Sequence, residues 1–83
     1  MTPAPDDPAQ AALMAALRRS EPLAAADPTA LEDLPGMDSL AHVRLIGEIE
    51  GALGRPLEID EVLALGTVGD VRDLLRAQGA RGA

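Results

Sequence analysis

The sequence predicts an all-α domain: a small four-helix bundle of three main helices and one short helix, with a long first connection. Two observations carry this. The chain holds no Phe, Trp or Tyr, so its core must come from Leu, Ile, Val, Met and Ala, and the abundant Ala and Leu favour helix over strand. Apolar residues also recur at helical spacing, most regularly at Leu40, Val43, Ile46, Ile49 and Leu53. A chain of 83 residues makes one domain with a small core.

The elements follow in order. Residues 1–5 read as a flexible tail, 6–78 as the domain and 79–83 as a second tail. Helix one begins at Asp7-Pro8-Ala9-Gln10: Asp7 caps, Pro8 suits the first helical position, and Gln10 closes a capping box. Leu13 and Leu17 share a face. Arg18 and Arg19 are expected in the last turn, where cations suit the helix dipole, before Ser20-Glu21-Pro22 ends the helix. A long connection runs from Leu23 to Met37, with a short turn at Asp27-Pro28-Thr29-Ala30 and Leu31 and Leu34 tucked onto the core. Pro35-Gly36 breaks the chain.

Helix two runs from Asp38-Ser39 to about Leu53, with Gly47 and Gly51 on another side, either admitting a close neighbour or merely tolerated. Gly54-Arg55-Pro56 stops it. A short third helix over 60–65 is expected to bring Val62, Leu63 and Leu65 near the core. The fourth opens at Thr67, which caps while Asp70 answers from three residues on. Val68, Val71, Leu74 and Leu75 form its apolar face, and Gly79 is the expected stop.

Composition excludes several functions. The absence of Cys removes disulfides, thiol catalysis and cysteine zinc sites, and a single His makes a histidine metal site improbable. No apolar run approaches the ~20 residues of a membrane span, and the acidic, Pro-rich start lacks a secretory pattern. The cytoplasm is the expected compartment. A formal charge of −7, with no Lys, disfavours nucleic acid and suits basic protein partners or simple solubility.

The informative segment is Leu34-Pro35-Gly36-Met37-Asp38-Ser39-Leu40. It places a serine in the first turn of an amphipathic helix, after a glycine break. Unpaired N–H groups and a partial positive charge there favour an anion such as a phosphate ester. Taken alone, the same pattern reads as a helix cap.

The wider pattern adds weight. Gly36-Met37-Asp38-Ser39-Leu40 resembles the Gly-x-Asp-Ser-Leu signature of acyl and peptidyl carrier proteins; Gly54-Arg55-Pro56-Leu57 matches the turn that ends their second helix; and Thr67-Val68-Gly69-Asp70-Val71 resembles the opening of their last helix. The likeness covers about Leu31 to Leu75, with helix one agreeing in kind. It implies that Ser39 receives a 4′-phosphopantetheine arm, donated from coenzyme A by a phosphopantetheinyl transferase. The arm's thiol would then carry an acyl or aminoacyl group as a thioester between a loading enzyme and downstream synthases.

The resemblance also implies that Asp38 serves transferase recognition. Met37, Leu40, His42, Val43, Arg44 and Val62 would contact partner enzymes. The carrier itself, a stand-alone monomer, would catalyse nothing. Arg44 dilutes the acidic face that fatty-acid carriers present, Met37 departs from the Gly-Gly form of peptidyl carriers, and no Trp follows the serine. A specialised polyketide or nonribosomal-peptide pathway of a bacterium with a GC-rich genome fits best.

The residues fit other functions less well. Ser39 and His42 share a face but lack a third, orienting group for nucleophilic catalysis. Glu48, Glu50, Glu58, Asp60 and Glu61 do not have calcium-loop spacing and read as a solvated face. The second reading of the whole chain is an unmodified acidic interaction module in which Ser39 is only a helix cap.

Overall fold

The computed structural model describes residues 7–82, with side chains to Ala77. The expected tail over 1–5 lies outside these. Four helices follow one another: α1 (Pro8–Leu17), α2 (Ser39–Leu53), α3 (Ile59–Ala64) and α4 (Val68–Gly82), with one 3₁₀ turn at Leu31–Asp33 in the first connection. The core is the contact of α1, α2 and α4. Leu13, Leu45, Ile49, Val68 and Val71 are its largest fully buried side chains, with Ala9, Ala16 and Ala41 filling the closest approaches.

The helix starts follow local chemistry. Asp7 Oδ1 accepts the Gln10 N–H (3.2 Å) ahead of Pro8. Thr67 Oγ1 accepts the Asp70 N–H, and the Asp70 carboxylate accepts the N–H groups of Thr67 and Gly66 in return. Those two N–H groups, Gly66 first, hold the Asp70 carboxyl below its ordinary range.

Four expectations need correction. Gln10 does not close a capping box. Its side-chain amide reaches Leu23, accepting that residue's N–H (2.6 Å) and donating to its carbonyl (3.4 Å), so it clamps the start of the long connection while Leu23 is buried. Arg18 and Arg19 lie beyond α1 rather than in its last turn. Arg18 adopts left-handed geometry (φ 55°), and the Arg19 N–H returns to Met14 O (3.0 Å), closing the helix as a Schellman motif. Leu63 does not reach the core. The six-residue α3, fewer than two turns long, buries no side chain; Val62 is half-buried, and Leu65 enters the core only after the helix has ended. Finally, α4 passes Gly79 and continues to Gly82.

The long connection is stitched to the start of α4. Leu31 N–H donates to Gly66 O (2.9 Å), Val68 N–H to Thr29 O (3.0 Å) and Gly69 N–H to Asp27 O (2.8 Å). Arg72 adds ion pairs to Asp27 (2.8 Å) and Asp7 (3.3 Å). With Leu31 and Leu34 buried, the chain arrives at Pro35-Gly36 from a fixed direction.

The α2–α3 turn is braced separately. Glu50 accepts the Leu57 N–H, and Arg55 forks onto Glu61, which also accepts the Glu58 N–H. The Arg55 guanidinium, then the Glu58 N–H, pull the Glu61 carboxyl down to about 2. Gly47 and Gly51 meet nothing within 4 Å where a Cβ would stand, so they admit no close helix and are tolerated.

Candidate functional site

The site is built by the turn that feeds α2. The Met37 N–H bonds back to Leu34 O (3.0 Å) across Pro35 and Gly36, and Gly36 sits at φ 85°. This is a type II turn, which takes Pro first and Gly second for steric reasons. Its exit sets Asp38 in extended geometry as the N-cap of α2, where Asp38 Oδ1 accepts the Ala41 N–H at 2.8 Å. The cap position is therefore filled by Asp38. Ser39 is the first helical residue; it is exposed, and its hydroxyl has no hydrogen-bond partner among the described residues. The structure thus removes the premise that Ser39 itself is the cap.

Ser39 stands at the rim of an open groove of about 590 Å³. Leu31 and Glu32 of the 3₁₀ turn line it, with Met37, Asp38, Ser39, His42 and Val43 around the start of α2 and Leu65 and Gly66 of the α3–α4 connection opposite. The groove depends on the long connection being tied to α4, since the Leu31–Gly66 bond joins its two walls.

The other expected residues are spread over several environments. Met37 and His42 are half-buried in the groove wall. Leu40 and Val43 are each 63% exposed. Arg44 is half-buried, and its Nε donates across the helix interface to Ala16 O (2.8 Å), satisfying a carbonyl at the end of α1. Val62 is half-buried on α3.

Two further apolar residues are strongly exposed, Ile59 (69%) and Leu63 (77%), four apart on α3. Their signal was an apolar pair on a helix too short to bury it. No hydrogen bond joins Ser39 to His42, and no group of three or more His, Asp or Glu among the described residues is placed to hold a metal ion.

A small helical bundle of this kind is the fold of a carrier domain, which is not itself catalytic. The chain belongs to the phosphopantetheine-attachment-site family, whose model matches residues 11–75. Its cofactor is covalently bound 4′-phosphopantetheine. The fold is similar to the solution structure of a holo acyl carrier protein from Geobacter metallireducens, with a TM-score of 0.71 and 25% identity over 88% of this chain and 83% of that one. No curated protein matches the chain. Among the described residues, no helix is long and apolar enough to cross a membrane.

Proposed function

We propose that Ser39 takes the phosphopantetheine ester and that the loaded chain moves acyl or aminoacyl thioesters between the enzymes of a specialised bacterial pathway, polyketide or nonribosomal-peptide in kind, in the cytoplasm. The observation that carries this is the division of labour at the start of α2. Asp38 does the capping, so the Ser39 hydroxyl is left exposed and uncommitted.

The residues fit the group. The hydroxyl is free to bond to the pantetheine-bearing phosphorus of coenzyme A as the diphosphate P–O bond breaks, with loss of its proton to a base of the transferase and departure of adenosine 3′,5′-bisphosphate. The groove beside it gives the arm a wall with the apolar side chains Leu31, Met37, Val43 and Leu65. When bound, the arm supplies a thiol that holds the cargo as a thioester. Asp38, exposed next to the serine, is the charged feature a transferase would recognise.

Partner enzymes would dock on an apolar face rather than an acidic one. Leu40 and Val43 project next to Ser39, and Ile59 and Leu63 project from α3. Met37, His42 and Val62 are half-buried, and Arg44 contributes mainly by bracing α1. Glu50 is drawn away by the Leu57 N–H, which further thins the acidic surface of α2. This arrangement supports a specialised pathway over fatty-acid synthesis.

Purified protein incubated with coenzyme A, magnesium and a broad-specificity transferase should gain one phosphopantetheine by intact mass, and Ser39→Ala should gain none. A folded sample that several transferases leave unchanged, or Ser39→Ala that still loads, overturns the proposal.

A further inference from the structure

We infer that His42 is a positioning residue for the loaded arm: its protonated imidazole pairs with the phosphodiester on Ser39 and holds the base of the arm against the groove. This rests on the reading that Ser39 is the loaded residue.

Ser39 and His42 are three apart on α2, so their Cβ atoms lie roughly 5–6 Å apart on one face. Both line the same groove. The His42 backbone N–H is spent on Asp38 O (2.8 Å), but its imidazole has no hydrogen-bond partner among the described residues. His42 is half-buried, which limits the positions its ring can take.

Charge makes the pairing selective. Of the nine residues lining the groove, His42 is the only one able to carry positive charge. Two acids line the same space, Asp38 at the start of α2 and Glu32 from the 3₁₀ turn, while Leu65 and Gly66 of the α3–α4 connection are uncharged. A phosphodiester on Ser39 adds a third negative charge there. Arg44, the nearest cation along the helix, is drawn to Ala16 O and does not line the groove. The imidazole is thus the counter-charge the groove offers.

The chain has a single His, so its ring protons are assigned without ambiguity. Apo and holo protein, with loading at Ser39 verified by intact mass, are titrated between about pH 5 and 8 by proton and phosphorus NMR. A phosphodiester does not itself ionise in that range, so movement of its resonance reports a neighbour. The imidazole titration is expected to differ between the apo and the holo protein at low salt. The phosphorus resonance is expected to move with it. His42→Gln should remove that movement, and His42→Lys should displace the resonance without pH dependence. A flat phosphorus signal in the holo protein, equal midpoints in both forms, or movement that persists in His42→Gln overturns the ion pair alone. Failure to load at Ser39 overturns the attachment reading, and this inference with it.

Discussion

Asp38→Ala and Ser39→Ala, adjacent substitutions, should separate stability from loading. Asp38 supplies the side-chain bond to the Ala41 N–H (2.8 Å) and a negative charge at the start of α2. Losing an N-cap of this kind costs about 1 kcal/mol, within a range of roughly 0.5–2. For a domain of this size that lowers Tm by about 4–8 °C. Ser39 makes no hydrogen bond, is exposed and occupies the first helical turn, so alanine removes nothing and gains a few tenths of a kcal/mol in helix propensity. Urea and thermal melts followed by far-UV circular dichroism measure both variants; the absence of Trp and Tyr rules out intrinsic fluorescence. Intact mass after incubation with transferase measures loading. Ser39→Ala should melt within about 0.5 kcal/mol of the parent and never load. A loss of 1 kcal/mol or more in Ser39→Ala, with Asp38→Ala silent, would refute the assignment of the cap and, with it, the argument that the serine is uncommitted.

Other substitutions probe the frame around the site. Gly47→Ala introduces a Cβ with open space around it and should stabilise by about 0.5–1 kcal/mol in urea melts. In contrast, Gly69→Ala brings its Cβ to 3.0 Å from Asp27 Cβ and 3.1 Å from Asp27 O and should destabilise by about 1–3 kcal/mol, since the neighbouring backbone is pinned there. Gln10→Ala removes both bonds to Leu23 and should cost about 1–2 kcal/mol in the same assay; a neutral result would mean that Leu23 is held by burial alone. Glu61, whose folded value is depressed to about 2 from an ordinary 4.5, stabilises fully above the ordinary value and loses that contribution as pH falls through the folded one. The stability difference between the parent and Glu61→Gln should therefore narrow between about pH 4.5 and 2 and stay constant above that window; a difference that is flat through it would remove the Arg55–Glu61 fork from the account.

Much of the frame was legible because it is written locally. Asp7-Pro8, Asp38 and Thr67–Asp70 announce helix starts within four residues, and Pro35-Gly36 requires its turn type; each stands where the spacing put it. What escaped depends on partners distant along the chain. Gln10 sits correctly for a capping box, yet Leu23, thirteen residues on, competes for its amide. Arg44 reads as a surface cation, and only the packing of α1 against α2 brings Ala16 O within its reach. Dipole reasoning put Arg18 inside α1, although a left-handed closure ended the helix one residue earlier. Ser39 was singled out from its neighbours in sequence. The groove was not, because its walls, Leu31 and Gly66, meet through a bond spanning thirty-five residues.

The exposed apolar residues of α3 have a consequence beyond docking. Ile59 and Leu63 are both exposed on that helix, so their identity is uncoupled from the folding of the rest. Ile59 and Leu63 can be exchanged for other residues with little effect on the three-helix core, whereas a comparable change at Leu45 or Ile49 would cost about 2–5 kcal/mol. With partners docking on α3 as proposed, drift or laboratory selection at these two positions would change which enzymes this bundle visits, one substitution at a time, through intermediates that all remain folded.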